Sequence, residues 1–347
     1  LILPLMKATL IRNIQLLFFS LFCFLNHLNL QGQVAPLEAI HVVEIHTGGT
    51  VDRIEKLNEP ASNPRYELHG KVGRQPYRAV VHSEHGRLMS IHHVNGTELE
   101  LVYHWPGIRV VAHRGGALLG PPENTLPAIE KAIEVGADLI EVDIRQTRDG
   151  HLVLMHDETV NRTTDGRGKV EDLTLGQILA LSIKHDGSET IRVPTLKEAL
   201  ETMKGRIDPD LDYKDGDIFK LIKVVKEMEM VEHSTMYGSW ERCRLISDLE
   251  PRMRIRPTAD YPMQVPELAR TLRPALINMD WHGVSEEAIR LTHIHGCQAF
   301  VNCLERADTE FYMQLVVAAG ADYMQSDRPD LVVQYLEGLN LYRLTSK

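Results

Sequence analysis

The stretch LIEVDIRQTRDGHLVLMHD, residues 139–157, decides how the chain is read. Glu141 and Asp143 sit two residues apart inside an apolar run, and His156-Asp157 closes the next one. Residues i and i+2 of a strand share a face, so the two carboxylates project together. Acids inside a Leu/Ile/Val strand are costly to bury unless positive charge compensates them, and a divalent metal does so economically. The bland alternative is a pair of solvated acids at a strand end.

Downstream of Pro106, short apolar runs alternate with amphipathic ones. The pattern predicts strands at 108–112, 139–143, 152–156, 235–237, 253–257, 275–279, 299–302 and 323–326, and a short one ending at 212–214. Helical periodicity covers 125–135, 174–181, 196–203, 217–230, 239–249, 265–272, 285–294, 309–319 and 329–338. Repeated β–α units with buried strands from 106 to 340 point to an α/β fold of the TIM-type (β/α)8 barrel kind. These strands number nine where eight are needed, so one of 253–257 and 275–279 is expected outside the barrel. The Asp149-Gly150 turn leaves no room for a helix, so the second crossover is expected to return directly to the barrel's bottom. A doubly wound open sheet is the fold alternative, but no glycine-rich fingerprint opens the first helix.

Upstream, residues 39–104 read as a small β-rich module. Its strand-like runs fall at 40–45, 65–70, 77–83, 87–93 and 98–104, with Asn95-Gly96 as a hairpin turn. His82, His85, His92 and His93 lie at strand spacing and are taken as surface residues with no metal assigned. Residues 95–97 and 161–163 fit the N-glycosylation pattern. Residues 1–32 stand apart from the fold: Met6 reads as a start, Lys7 and Arg12 as a basic segment, and 16–25 as a ten-residue apolar core. That core is short for a membrane span and has the size of a signal-peptide core, with cleavage expected near Gly32 or Gln33. The protein is thus expected to be exported, periplasmic or secreted, without a stable membrane span after processing. An uncleaved, tethering segment is the alternative. Cys243, Cys297 and Cys303 form no disulfide framework and no CxxC pattern, and are expected to be small buried residues. A composition of 43% hydrophobic and 25% charged residues with net charge −10 describes a globular chain and argues against a nucleic-acid binder. A small anionic substrate remains compatible with it.

Working residues of an α/β barrel cluster at the carboxyl ends of its strands. His113 and Arg114 follow the first strand, Glu141 and Asp143 end the second, His156 the third, and Asp212 with Lys214 the fourth. One divalent cation held by Glu141, Asp143 and Asp212 is the physical reading, and all-oxygen ligation favours Ca²⁺ or Mg²⁺. Arg114 and Lys214 beside it make a phosphate clamp. His113 and His156 are left as general acid and base, which suits cleavage of a phosphodiester.

At these residues the chain resembles the glycerophosphodiester phosphodiesterase family. The resemblance rests on HRG (113–115), PENT (122–125), GAD (136–138) with IEVD (140–143), TRDG (147–150), HD (156–157) and NRTTDGRG (161–168). PTLKEAL (194–200) and SDRPDL (326–331) extend it. It implies a metal-dependent hydrolase that releases sn-glycerol 3-phosphate and an alcohol such as choline or ethanolamine. It implies His113 and His156 as the acid–base pair, and Glu141 and Asp143 as metal ligands. The family's E-x-K appears here as Asp212-Tyr213-Lys214, one methylene shorter, so the third ligand is open to a water-mediated or shifted contact. The family's W-T-x-N strand appears as Phe300-Val301-Asn302, which leaves the alcohol pocket without its tryptophan. Trp281 is the substrate-binding candidate for that wall, with Trp240, Tyr237 and Tyr261 as alternatives, each of which could equally be packing. Glu123 is expected either to orient Arg114 or to begin the following helix. Two other functions fit the same residues: action on sphingolipid or lysophospholipid head groups, or non-catalytic binding of a phosphodiester at a surface.

Overall fold

The structure, a computed structural model, describes residues 35–57, 65–95, 98–104, 106–280 and 283–342. Residues 1–32, Gly96, Thr97 and Trp281, to which several expectations were attached, lie outside the described residues.

The first element is α1 (Pro36–Thr47), followed by β1 (Thr50–Leu57), β2 (Arg65–Val72), β3 (Gln75–His82), β4 (Leu88–Asn95) and β5 (Glu98–His104). The strands form an antiparallel sheet in sequential order. The expected strand at 40–45 is instead helical, and the strand at 50–57 was not anticipated. Val42 and Val43 suit strands by composition, but Ala39, Val42 and Val43 are the residues α1 buries, at i, i+3 and i+4. Proline at the first helical turn fixes the start. Tyr66, Leu68, Tyr77, Ala79 and Val81 receive that face, and Ile294 joins the same cluster.

The second unit contains β6 (Arg109–Ala112), α2 (Leu126–Glu134), β7 (Leu139–Gln146), β8 (Leu152–Leu154), α3 (Leu175–Leu179), α4 (Leu196–Met203), β9 (Asp208–Tyr213), α5 (Ile218–Glu227) and β10 (Thr235–Gly238). It continues with α6 (Trp240–Leu249), β11 (Arg254–Pro257), α7 (Val265–Leu272), β12 (Leu276–Asp280), α8 (Glu286–Ile294), β13 (Gln298–Cys303), α9 (Glu310–Ala319), β14 (Tyr323–Ser326) and α10 (Pro329–Gly338). The parallel path runs β11-β10-β9-β7-β6-β14-β13-β12. A parallel bridge between Thr258 and Asn278 joins its two ends, giving the nearly closed eight-stranded barrel. The periodic segments anticipated downstream of residue 190 all appear as helices or barrel strands.

The surplus strand is neither of the two suspected. Both β11 and β12 belong to the barrel, and β8 does not: it pairs antiparallel with β7. From Leu139 to Ile144, β7 runs parallel to β9, and from Ile144 to Gln146 it carries the hairpin with β8. The strand therefore outruns the barrel, and no return to the barrel's bottom follows it. Thr147 Oγ1 donates to Asp149 Oδ1 (2.7 Å) and Gly150 takes φ 84°, which turns the chain back at once. The excursion re-enters the barrel through α4. It has its own apolar core of Val153, Met155, Val160, Val170, Ile178, Ile183 and Val193.

The antiparallel module docks on the barrel through buried polar contacts. Arg87 Nε donates to Asp322 Oδ1 (2.9 Å), and its Nη2 donates to the carbonyls of Gly320 and Ala321. His293 lies between His85 O (2.6 Å, from Nδ1) and Asp322 Oδ2 (2.7 Å, from Nε2). Glu38 on α1 pairs with Arg290 on α8. Burial, with Arg87 nearby, lowers the imidazole of His82 to about 4. Burial, with His82 and Arg87, lowers that of His85 to about 3. Cys243, Cys297 and Cys303 are buried free thiols, pushed up to about 12 by burial and so chemically quiet. No helix among the described residues is long and apolar enough to cross a membrane.

Candidate active site

The carboxyl end of β6 sets the site. Its chain passes into a single 3₁₀ turn, His113–Gly115, where Arg114 adopts left-handed φ 51°. A non-glycine residue held there costs about 1–3 kcal/mol, so the surroundings must enforce it. Gly115 lets the turn lie directly on α2, because a Cβ would stand 2.9 Å from that of Ala128. The turn aims Arg114 N–H at Glu141 Oε2 (2.8 Å) and brings His113 Nε2 to 3.9 Å from the same oxygen. His113 Nδ1 lies 2.7 Å from Asp327 Oδ1, at the end of β14.

Glu141, Asp143 and Asp212 converge, each offering a carboxylate oxygen within 4.8 Å of the others. Asp143 and Asp212 face one another in register on β7 and β9. Asn124, itself left-handed at φ 56°, donates from Nδ2 to Asp143 Oδ2 (2.7 Å) and accepts Asp143 N–H on Oδ1 (3.0 Å). Lys214 Nζ reaches Asp212 Oδ2 at 2.5 Å and Asp143 Oδ1 at 2.9 Å. Arg114 Nε stands 3.5 Å from Asp143 Oδ2.

The electrostatics divide the carboxylates. Burial raises Glu141 well above the usual carboxylate range, and the charges of Asp143 and Asp212 add to it. Burial opposes ionisation of Asp143 as well, but Lys214, Asn124 and Arg114 outweigh it and hold that carboxyl low. For Lys214, burial is outweighed by Asp143 and Asp212, so its ammonium is stabilised. Three carboxylates thus share one lysine and an arginine that also serves Glu123. A hard divalent cation on these oxygens would remove the deficit of positive charge, so the donor set fits such an ion.

His156 arrives by a different route from the one expected. It follows β8, off the barrel, so the strand ends around the metal-binding candidates belong to the neighbours β9, β7, β6 and β14. Asp157 Oδ1 lies 2.8 Å from His156 Nδ1. Arg162 bridges Asp157 to Glu123 with two hydrogen bonds to each, at 2.7–2.9 Å. Glu123 also accepts from Arg114 Nη1 (3.2 Å). Glu123 therefore orients arginines and does not begin α2, whose N-cap is Thr125. The bonds from Arg162 hold Asp157 far below its usual pKa.

His113, Arg114, Glu141, Asp143, Asp212 and Lys214 are thus directly assembled, and His156 joins them through Asp157, Arg162 and Glu123. Among the aromatic candidates, Tyr237 is covered by the Arg256 guanidinium at 4.4 Å, and Tyr261 is 68% exposed. The indole of Trp240 donates to Thr258 O (3.0 Å). Phe300 is a barrel-core ring, fully buried, under Arg256 at 3.8 Å and stacked on Tyr323. Residue-type reasoning missed Asn124, Arg162 and Asp327, although all three fall inside the quoted PENT, NRTTDGRG and SDRPDL motifs. A cavity of about 670 Å³ opens at the other end of the barrel, beside Arg109, Asp138, Lys204 and Asp208. Charges there are already paired, as in Lys204–Glu229, Arg206–Glu130 and Arg254–Asp208.

Residues 113–259 match the model of the glycerophosphoryl diester phosphodiesterase family. A glycerophosphodiester phosphodiesterase of Caldanaerobacter subterraneus is 30% identical over 237 residues, 65% of this chain and 96% of that protein. Human glycerophosphodiester phosphodiesterase 1 is 39% identical over 154 residues, 42% of this chain and 45% of its own length. Among solved structures, a glycerophosphodiester phosphodiesterase of Agrobacterium tumefaciens superposes with a TM-score of 0.59 at 27% identity, covering 65% of this chain and 99% of that one. An Oleispira antarctica phosphodiesterase solved with the product sn-glycerol-3-phosphate shares the fold, with a TM-score of 0.60 at 21% identity over 67% of this chain and 97% of its own.

Proposed function

The chain belongs to the glycerophosphodiester phosphodiesterase family and is thus a phosphoric diester hydrolase; from that premise we propose metal-dependent hydrolysis of glycerophosphodiesters to sn-glycerol 3-phosphate and an alcohol. The observation that carries the reading is the convergence of Glu141, Asp143 and Asp212 beside His113, with His156 tied to the same rim through Asp157, Arg162 and Glu123 and each histidine Nδ1 against an aspartate. Those three carboxylates would hold Ca²⁺ or Mg²⁺, which when bound supplies Lewis-acid charge against the phosphoryl oxygens.

The chain's own residues do the rest. Asp327 engages His113 Nδ1 and Asp157 engages His156 Nδ1, so each ring presents Nε2 as the atom that takes or gives a proton. One ring draws the proton from water as it attacks phosphorus, and the other delivers a proton to the departing alkoxide. Arg114 and Lys214 orient the phosphate and spread its growing charge. Trp281 is the substrate-binding candidate for the alcohol group.

We read residues 39–104 as an accessory module, 106–340 as the catalytic unit and 1–32 as an export signal. Amino-terminal sequencing of the protein recovered from the cell exterior tests the last of these. The reaction is tested with His113→Ala and His156→Ala, following products by phosphorus NMR. Loss of glycerol 3-phosphate release of about 10²–10⁴-fold is expected for each. Near-wild-type turnover with either variant overturns the roles, and a cyclic phosphate product overturns simple hydrolysis.

A further inference from the structure

The hairpin between β3 and β4 reads His82-Ser83-Glu84-His85. Strand spacing predicts surface positions for these histidines, but the fold brings them together. The rings of His82 and His85 stack with centroids 4.6 Å apart and planes 7° from parallel. A nitrogen of each ring and an oxygen of Glu84 lie within 4.8 Å of one another. Among the described residues only the active-site carboxylates form another such group.

The barrel holds this loop in place. The backbone closes on itself through His82 N to Arg87 O (2.8 Å) and Gly86 N to His82 O (3.0 Å). Ser83 is fully buried. The carbonyl of His85 accepts from His293 Nδ1, and its ring lies on Gly320, where a Cβ would stand 2.5 Å from His85 Cγ. Only a residue without a side chain at the end of α9 leaves room for that imidazole. The nearest arginine, Arg87, is engaged by Asp322 and by the carbonyls of Gly320 and Ala321. Glu84 N–H faces His82 Nδ1 at 3.3 Å, longer than an ordinary hydrogen bond, so that lone pair is weakly engaged.

We propose that His82, Glu84 and His85 form a second divalent-metal site, of the zinc type, in the hairpin by which the antiparallel module docks on the barrel. Two imidazoles and one carboxylate are the donor set of a borderline-soft ion, whereas Glu141, Asp143 and Asp212 offer only hard oxygens. Three protein donors leave a fourth tetrahedral position for water. The ligands come from the module, but the seat of His85 is on the barrel, so binding also favours the docked arrangement.

The test uses the full chain carrying Asp143→Asn and Asp212→Asn, which disables the oxygen site, after removal of metals with a chelator. Titration with Zn²⁺ is expected to show one equivalent bound, with tetrahedral absorption when Co²⁺ is substituted and a raised midpoint of thermal unfolding. Adding His82→Gln and His85→Gln is expected to weaken Zn²⁺ by at least about 100-fold. Glu84→Gln, at an exposed position that leaves both rings in place, is expected to weaken it about 10-fold. Absence of zinc binding in the parent, or unchanged affinity in Glu84→Gln and in the double histidine variant, overturns the proposal.

Discussion

Asp327 Oδ1 stands 2.7 Å from His113 Nδ1, although 214 residues separate the two in the chain. The pairing joins β14 to β6, the last and first strands of the barrel, and it decides which nitrogen of His113 faces the site. Asp327→Asn keeps the shape but lets the amide present a donor to that nitrogen, favouring the wrong tautomer. A fall in kcat of about 10–10²-fold with little change in KM is expected. Unchanged kcat across the pH profile would remove Asp327 from a positioning role.

Arg162 is the second such point. Its guanidinium makes paired hydrogen bonds to both Asp157 and Glu123, and so ties His156 to Arg114. Arg162→Lys keeps the charge but cannot reproduce the fork. We expect it to lose most of the activity lost by Arg162→Ala. Full rescue by lysine in a kcat/KM assay would show that charge alone matters there.

At the metal-binding candidates, Asp212 is contacted by Lys214 and is the shorter member of its motif. Asp212→Glu restores the family's E-x-K and should retain activity. Asp212→Asn should raise the Mg²⁺ or Ca²⁺ concentration needed for half-maximal rate after chelation by about 10-fold or more. An identical metal requirement in wild type and Asp212→Asn would place the third ligand elsewhere.

The docking of the antiparallel module should depend on pH. His82 and His85 are lowered in the folded chain to about 4 and about 3, against an ordinary value near 6.5. As pH falls below about 6.5 the unfolded chain gains these protons first, so their contribution to stability is complete above that pH and shrinks down to about 3–4. Urea unfolding of the chelator-treated, metal-free chain between pH 7 and pH 4 should show this loss, and His85→Asn should flatten it. An equal slope in both proteins would exclude the His85 imidazole as its source.

Asp322 lies under the same interface, buried between Arg87 and His293. Burial raises its pKa, but His293 and Arg87 outweigh that, so the stability it contributes persists through the acid range in which His82 and His85 become protonated. Removing one partner of a buried pair costs about 3–5 kcal/mol, so Arg87→Met should lower the unfolding midpoint sharply. A change near zero would mean that the Arg87–Asp322 pair contributes nothing to holding the module.

The barrel was legible because eight of its strands and the helices between them carry clean periods. The ninth apolar run, 152–154, has the same composition as the others, and hydropathy does not say whether a strand pairs parallel or antiparallel. Only the Thr147–Gly150 turn distinguishes it. The run at 40–45 misled through its valines, when the spacing of Ala39, Val42 and Val43 was the better guide. Glu141, Asp143 and His113 were visible as polar residues in apolar settings. Asp327 was not, because its partner is a matter of barrel closure. The cluster at His82–His85 is not legible from strand spacing, because a tight turn and not a strand face brings its side chains together.

The overrun of β7 has a consequence for how the enzyme opens. His156 and Asp157 ride on a segment with its own apolar core, while His113 and the three carboxylates are fixed by barrel strands. Such a segment can exchange its amide hydrogens by a sub-global opening that leaves the barrel shut. Loss of activity on mild warming would then precede loss of the carboxylate cluster, with His156 and Asp157 released while His113 stays in place.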